Sequence, residues 1–245
     1  MKPAGQLVST ADITPNRREE MFALMELYYE GVERATFDAD LDEKDWVIQV
    51  IDEESNRLKG FSTQMLLKVE VSGRAVRALF SGDTIVDSDA RGERRLFQVS
   101  GWLVRSLMST YPDSDLYWFL ISKGYKTYRF LPLFFNEFYP RYDACTPDRF
   151  RAIIDALAGN KFPASYDRAL GIVRACSCSY RLRPGIADIT TDRLRDPHIR
   201  FFGERNPRHA LGDELCCIAP LTLANFTPAA HRAMGSQPPM PVGVS

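Results

Sequence analysis

Apolar residues return every three or four positions over the first part of the chain. This spacing runs from Asn16 to Arg34 and predicts an amphipathic helix, for which Asn16 is a suitable N-terminal cap. The preceding residues 1–15 are polar and show no period, so we expect a flexible lead there. The polar stretch FDADLDEKD after the helix is expected to be a connection.

Three segments after this connection are typical of strands joined in hairpins. They read WVIQVID (residues 46–52), GFSTQMLLKVEV (60–71) and RAVRALFSGDTIVD (74–87), and short polar turns separate them. Helical spacing resumes at residues 90–109, and the apolar run LYWFLIS (116–122) predicts a buried strand. Because a strand–helix–strand unit joins parallel neighbours, we expect residues 116–122 to lie beside the third of these strands.

The pattern weakens towards the C-terminus. A helical stretch rich in aromatic residues begins near Gly124 and is interrupted near Pro132. Residues 146–158 predict a helix and residues 213–219 a last strand, with a loop-rich region between them. The sequence therefore predicts an α/β (α+β) fold, with a mixed, mostly antiparallel, twisted sheet flanked by helices. The expected parts are a core at 16–143, a C-terminal extension at 144–235 that packs on it, and a flexible tail at 236–245.

Composition narrows the classes of function. The 245 residues carry 31 Lys+Arg and 32 Asp+Glu, and this balance argues against nucleic-acid binding, which draws on clustered positive charge. No apolar run has the length of a membrane span, and the N-terminus lacks the apolar core of a signal peptide, so we expect a cytoplasmic protein. The 5 cysteines are expected to be free thiols, and because their spacing fits no zinc site we predict no metal. Exposed hairpin edges favour a homodimer.

The stretch ALFSGDTIVDSDARGERRL (78–96) runs from a strand through an acidic loop into a helix. The first N–H groups of a helix lack partners within the helix, and the helix dipole places positive charge there. Arg91, Arg94 and Arg95 add cationic side chains beside these N–H groups. The stretch therefore predicts a site for a phosphate or a pyrophosphate.

This order of elements, with the loop DARGERR (89–95) at its centre, resembles the GNAT acyltransferase superfamily over residues 16–143. In that family the loop binds the pyrophosphate of the acyl donor. Gly92 matches one of the family's glycines, and Arg94 stands where the second would fall. The resemblance also implies a bulge at Gly82 that opens the strand for the donor's pantetheine arm. The donor-site residues that it implies are Ile85, Val86, Arg91, Gly92, Glu93, Arg94 and Arg95. The implied donor is acyl-coenzyme A, or the acyl-phosphopantetheine arm of an acyl carrier protein.

Asp83 is the first candidate for chemistry, because a carboxylate inside an apolar strand is costly unless it is paired or functional. The resemblance implies that Asp83 is the general base that deprotonates an attacking amine, and burial shifts a carboxyl pKa in the direction that such a base needs. The alternative is a structural role, in which Asp83 binds Ser62, Thr63 or nearby backbone. Strand alternation places Ser81, Asp83 and Ile85 on one face, which makes Ser81 a candidate substrate contact.

Aromatic residues supply the remaining candidates. The resemblance implies that a tyrosine on the helix after residues 116–122 reprotonates the thiolate leaving group; Tyr128 is this candidate acid, and the alternative is a core residue. Tyr28 and Tyr29 are expected to border the site of the acceptor substrate, or alternatively to pack in the core. The aromatic block at residues 117–139 either lines an acyl channel or forms core.

These observations lead to one function and two alternatives. The resemblance implies an N-acyltransferase that moves an acyl group from a thioester donor to a small-molecule amine by direct attack, without a covalent enzyme intermediate. A binding or regulatory protein with the same fold is the first alternative. A different reaction on a thioester, such as decarboxylation, is the second.

Overall fold

The computed structural model describes residues 3–87, 93–176 and 179–235. The strands are β1 (Pro3–Ser9), β2 (Tyr29–Glu30), β3 (Trp46–Asp52), β4 (Leu58–Val71), β5 (Arg74–Val86), β6 (Asp115–Ser122), β7 (Tyr166–Asp167), β8 (Ile172–Val173), β9 (Arg181–Leu182) and β10 (Glu214–Pro220). The helices are α1 (Pro15–Tyr28), α2 (Arg34–Asp42), α3 (Glu93–Thr110), α4 (Tyr125–Tyr128), α5 (Phe130–Phe134), α6 (Asp148–Lys161), α7 (Pro197–Arg205) and α8 (Pro228–Met234).

One large sheet organises the described residues. Its strand order is β1-β3-β4-β5-β6-β10-β8-β7, and β2 pairs separately with β9. The neighbours in the sheet are antiparallel except for β5 and β6, which α3 connects as a parallel pair. The predicted mixed, mostly antiparallel sheet, its central hairpins and its single parallel crossover are therefore confirmed.

Helices cover both faces of this sheet. On one face, α3 and α8 pack on a cluster that includes Leu79, Leu103 and Leu120. On the other face, α6 packs over Phe80 and Phe119, and α1 and α2 pack nearer to β3 and β4. Alternating residues of the central strands thus enter different cores, as the period of two in a strand requires.

The N-terminal segment departs from the expectation. The expected flexible lead at residues 1–15 instead contains β1, which pairs with β3 from Pro3 opposite Asp52 to Ser9 opposite Trp46. Backbone hydrogen bonds to an edge strand need no hydrophobic period in the added segment, so the sequence pattern carried no sign of this pairing.

Two helices also differ from the pattern. α1 ends at Tyr28, not near residue 34, because Tyr29 and Glu30 pair with β9. Residues 34–42, which overlap the expected connection, form α2, whose Phe37 and Leu41 are buried four positions apart. A polar segment can therefore hold a helix when two apolar side chains on one face reach the core.

The C-terminal part of the chain completes the sheet. β10 lies against β6 from Leu215 opposite Ser122 to Pro220 opposite Tyr117, and β8 and β7 extend the sheet beyond it. Residues 144–235 thus contribute strands as well as packing on the core. Cys176 is disulfide-bonded, so the expectation of free thiols fails there. Cys178 lies outside the described residues.

No helix among the described residues combines the length and apolar character needed to cross a membrane.

Candidate functional site

β5 and β6 run side by side along only part of their length. Their parallel pairing extends from Val76 opposite Asp115 to Ser81 opposite Leu120. β5 then continues along β4 as far as Val86, while its pairing with β6 has ended. The two strands therefore separate and leave an opening in the sheet next to the last residues of β5, which we call the splay.

A bulge in β5 begins where the strands separate. Ser62 lies opposite Thr84 and Gln64 lies opposite Ser81, so both Gly82 and Asp83 face the single residue Thr63. A Cβ atom added to Gly82 would lie 2.6 Å from Thr63 Oγ1, which is too close for any other residue type without a local shift. The bulge expected at Gly82 is thus present, and the absence of a side chain there permits it.

The bulge changes which residues share a face. Strand alternation predicts that Ser81 and Asp83 point the same way, but the extra residue reverses the alternation between them. Ser81 donates a hydrogen bond to Gln64 Oε1 (2.9 Å) on the α3 side of the sheet. Asp83 instead lines a cavity with Phe80 on the opposite side. The prediction that Ser81 and Asp83 share a substrate-facing surface is therefore wrong.

Asp83 lies in a polar cavity of about 120 Å³, which we call the acidic cavity. The cavity contains three carboxylates from separate parts of the chain, together with two tyrosines and a lysine. Its lining residues are Tyr29, Asp40, Phe80, Gly82, Asp83, Thr84, Ile121, Lys123, Thr127, Phe162, Tyr180 and Glu214.

The Asp83 carboxylate is held by a tyrosine and has a perturbed acidity. The Tyr180 hydroxyl donates a very short hydrogen bond to Asp83 Oδ1. Burial, followed by the negative charge of Asp40, raises the pKa of Asp83 to about 6. The hydrogen bond from Tyr180 and the positive charges of Lys123 and Lys44 act in the opposite direction. Asp83 is therefore a carboxyl group that changes protonation near neutral pH.

Lys123 and Glu214 form an ion pair at the edge of the acidic cavity. Lys123 Nζ lies 3.3 Å from Glu214 Oε1 and donates to the backbone oxygen of Tyr180 (3.1 Å). It also lies 3.8 Å from the centre of the Tyr180 ring. Burial raises the pKa of Glu214, and the charge of Lys123 opposes that shift. Lys123 is 8% exposed, so this charge is largely withdrawn from solvent.

A second ion pair borders the acidic cavity from α2. Lys44 Nζ lies 2.7 Å from Asp40 Oδ1 and donates to the Asp40 backbone oxygen (2.8 Å). Lys44 is 4% exposed. The three carboxylates of the acidic cavity are thus accompanied by two buried lysines, an arrangement that gives a bound cation or a neutral amine strong hydrogen-bond acceptors.

A wider cleft of about 400 Å³ adjoins the acidic cavity, and we call it the open cleft. Tyr28, Ile85 and Val86 are among its lining residues, and Tyr29, Thr84, Lys123 and Thr127 line both spaces. The Asp87 N–H donates to Lys59 O (2.8 Å) on the β4 side. Because successive amides of a strand point to opposite sides, the Val86 N–H points towards the splay.

Segment 180–187 covers both spaces. Tyr180 lines the acidic cavity, and Leu182, Gly185, Ile186 and Ala187 line the open cleft. β9 within this segment pairs with β2, and the Arg183 N–H donates to Tyr28 O (3.0 Å). A part of the chain that the sequence pattern assigned to loops thus forms one wall of the site.

The arginine-rich loop is only partly within the described residues. Arg91 and Gly92, and the side chain of Glu93, lie outside them. Arg94 and Arg95 are exposed in the first turn of α3. Arg95 donates to Gln98 Oε1 (2.9 Å) and borders a shallow pocket on the β1 side, so its side chain is not directed at the open cleft.

Tyr128 is not brought to the site. Its side chain is fully buried, its hydroxyl donates to Pro140 O (2.9 Å), and its ring packs against Phe138 and Phe202. Burial raises the pKa of this phenol well above its usual value. The expected role of Tyr128 as the acid is incompatible with this position, because its hydroxyl contacts neither the acidic cavity nor the open cleft.

Several site residues escape sequence reasoning because they come from distant segments. Asp40 and Lys44 lie within the stretch FDADLDEKD, which reads as a polar connection, and Tyr180 lies in a loop-rich region. One signal was available: Lys123 directly follows the buried strand LYWFLIS, and Glu214 directly precedes the apolar run LCCIA. Charged residues that flank buried strands of one sheet are candidates for a shared pair.

The described residues contain no group of three or more His, Cys, Asp or Glu side chains arranged to hold a metal ion. The three carboxylates of the acidic cavity therefore do not form a metal site by geometry.

Comparisons with known proteins give matches at the level of structure alone. No protein-family model matches the chain, and no curated protein does. A conserved protein of unknown function from Enterococcus faecalis V583, described as a probable N-acyltransferase, matches at 14% identity and a TM-score of 0.41. The match covers 56% of this chain and 33% of that one, so this chain spans about a third of its length.

Two further matches have a stated ligand. The GNAT-family N-acetyltransferase YhbS from Escherichia coli, in complex with CoA, is 16% identical over 53% of this chain and 69% of its own, at a TM-score of 0.38. NAA60 from Arabidopsis thaliana, in complex with acetyl-CoA, is 14% identical over 51% of this chain and 82% of its own, also at a TM-score of 0.38. Matches this distant carry no argument about what this chain binds or catalyses. The solved structures that this chain is similar to include a member of the GNAT family, which is the family that its sequence resembles.

Proposed function

We propose that this chain is an N-acyltransferase that moves an acyl group from a thioester to an amine. One observation carries the proposal: the bulge in β5 holds Asp83, whose pKa is raised to about 6, in the acidic cavity directly beside the open cleft. A carboxylate with this pKa is largely ionised at neutral pH and still basic enough to accept a proton from an ammonium or an attacking amine.

The acceptor amine occupies the acidic cavity in this proposal. The neutral amine attacks the thioester carbonyl, which lies in the splay, and Asp83 accepts the proton that the nitrogen loses as the C–N bond forms. The Val86 N–H points towards that position and supports the developing oxyanion by a hydrogen bond. The C–S bond breaks as the amide forms, and the thiol leaves through the open cleft.

Tyr29 replaces Tyr128 as the proposed acid. It lines both the acidic cavity and the open cleft, so it borders the spaces proposed for the amine and for the leaving thiol. Burial, and the charges of Asp83 and Glu214, raise the pKa of Tyr29, which keeps its proton available at neutral pH. Tyr29 donates this proton to the thiolate and regains one from solvent.

The proposed donor is acyl-coenzyme A, with an acyl carrier protein as the alternative. Both carry the same phosphopantetheine arm. Lys126 lines the cleft, and Arg94 is exposed at the start of α3, where both can meet phosphate groups.

Binding and turnover, measured separately, test the proposal. The purified protein is titrated with coenzyme A, acetyl-CoA, longer acyl-CoAs and acyl carrier protein, with the melting temperature as readout. We expect at least one donor to raise the melting temperature through preferential binding to the folded state. Mass spectrometry after addition of a panel of amines is then expected to detect an amide.

The outcomes separate the alternatives. Binding of a donor with no amide from any amine supports a binding or regulatory protein and contradicts the proposal. Consumption of a β-carboxyacyl thioester without any amine identifies decarboxylation. If no donor shifts the melting temperature, the acyltransferase proposal is wrong.

The pH dependence of turnover follows from the environment of Asp83. We expect kcat/KM to rise with pH through about 6, because the base acts only after it has lost its proton. Tyr180→Phe removes a hydrogen bond that lowers the pKa of Asp83, so the midpoint is expected to move to higher pH.

A pH–rate series from 4.5 to 8.5 on both proteins checks this expectation. Tyr166→Phe is the control, since Tyr166 donates to Asp155 (2.6 Å) away from the acidic cavity. A midpoint that Tyr180→Phe leaves in place, or moves to lower pH, contradicts the role of Tyr180.

A further inference from the structure

An apolar cavity lies behind the splay, on the α3 side of the sheet. Its volume is about 100 Å³, and residues of β4, β5, β6, α3, α5 and α8 line it. Aliphatic and aromatic side chains dominate its walls. They include Leu79, Val104, Leu120, Phe130, Phe134 and Met234.

Five polar side chains that line this apolar cavity hydrogen-bond to one another in a chain. Trp118 Nε1 donates to Ser81 Oγ (2.8 Å), and Ser81 donates to Gln64 Oε1 (2.9 Å). Gln64 Nε2 donates to Ser62 Oγ (2.7 Å), which in turn lies 2.6 Å from Thr84 Oγ1. Because each group in this series of hydrogen bonds already has a partner, the wall that it forms leaves few donors or acceptors that a ligand would have to satisfy.

The apolar cavity reaches the point where the proposed reaction occurs. Gly82, Thr84 and Thr127 line both the apolar cavity and the acidic cavity. Thr84 and Thr127 also line the open cleft. The three spaces therefore meet at one place, so a thioester carbonyl held in the splay can have its thiol arm in the open cleft, its amine partner in the acidic cavity and its acyl chain in the apolar cavity.

We infer that the acyl group is a medium-length hydrocarbon chain and not acetyl, an inference that rests on the proposed function. A cavity of about 150 Å³ with apolar walls binds a benzene ring. By that measure the apolar cavity holds about four methylene groups, in addition to the carbon atoms at its mouth. An acetyl group ends at the mouth and leaves these walls uncovered.

Acyl-pantetheine thioesters test this inference, because they contain the part that coenzyme A and a carrier protein share. Each methylene that enters an apolar site tightens binding by about fourfold. We expect hexanoyl-pantetheine to bind at least tenfold more tightly than acetyl-pantetheine in calorimetric titrations. The kcat/KM values with an accepted amine are expected to follow the same order.

Substitutions on α8 test whether the acyl chain lies in the apolar cavity. Ala233→Leu places three additional carbons against the apolar cavity and is expected to lower the ratio of hexanoyl to acetyl affinity at least tenfold. Ala229→Leu is the matched control, because Ala229 lies on the same helix, is likewise half-buried and does not line the cavity. Melting temperatures of both variants establish that they fold.

The results distinguish this inference from the proposed function. If acetyl- and hexanoyl-pantetheine bind and react equally well, the inference is wrong while the acyltransferase proposal stands. If hexanoyl is preferred but Ala233→Leu and Ala229→Leu show the same ratio of hexanoyl to acetyl affinity, the acyl chain does not enter the apolar cavity, and the inference is wrong. If no thioester binds or reacts, the proposed function fails, and the inference fails with it.

Discussion

Asp83→Asn is expected to lower kcat/KM for amide formation by about 10²- to 10⁴-fold, the usual contribution of a positioned general base. Asparagine has nearly the same shape and can still accept the hydrogen bond from Tyr180, but it cannot take up a proton at neutral pH. The acidic cavity should therefore keep its form while the proton-transfer step is lost. Donor affinity is expected to remain close to that of the unchanged protein, because the open cleft is not altered.

Steady-state kinetics and donor titrations on the same preparation provide the measurement. Asp113→Asn is the matched control, since Asp113 is exposed in the turn after α3 and its substitution should change neither quantity. If Asp83→Asn retains full turnover, Asp83 is not the base. If the variant loses donor affinity and turnover together, its role is structural, as the alternative interpretation of the sequence holds.

Lys123→Met is expected to reduce the free energy of unfolding by about 3 kcal/mol, because it leaves the largely buried Glu214 carboxylate without its ion-pair partner. The same change removes the hydrogen bond to the Tyr180 backbone and the contact with the Tyr180 ring. The position of Tyr180, and through it the hydrogen bond to Asp83, is therefore expected to loosen. Chemical denaturation at pH 7 measures the effect.

A double substitution separates the charge from the packing. Lys123→Met with Glu214→Gln removes both charges, and we expect it to recover most of the lost stability, because the uncompensated buried carboxylate is gone. Arg195→Met breaks the exposed ion pair with Asp192 (3.4 Å) and should cost less than about 0.5 kcal/mol. A double variant as unstable as Lys123→Met alone would show that packing, and not charge, decides the effect.

The hydrophobic pattern was sufficient for the central part of the fold. The three hairpin strands, the crossover through α3 and the buried strand β6 each have a period or an apolar run of their own. Elements held mainly by a tertiary partner gave no comparable signal. β1 exists because β3 offers it an edge, and α1 ends at Tyr28 because β2 pairs with β9.

The sequence was sufficient to identify candidate site residues along β5, but not their neighbours in space. Asp83 and Gly82 stand out within β5, because a carboxylate and a glycine interrupt an apolar strand. Which side chains surround Asp83 was not predictable, since Asp40, Lys123, Tyr180 and Glu214 come from four distant segments. Tyr128 illustrates the converse: its place after β6 suits an acid, but packing directs its hydroxyl to Pro140.

By itself, the sequence determined the type and order of the central elements, the mixed sheet and the strand on which a base could lie, because local periods and single costly residues encode these features. The tertiary structure alone decided that a bulge at Gly82 sends Ser81 and Asp83 to opposite faces of the sheet. It alone decided that three spaces meet at Thr84 and Thr127. The physical reason is that strand register, side-chain direction and the acidity of a buried carboxyl depend on neighbours that are close in space and remote in sequence.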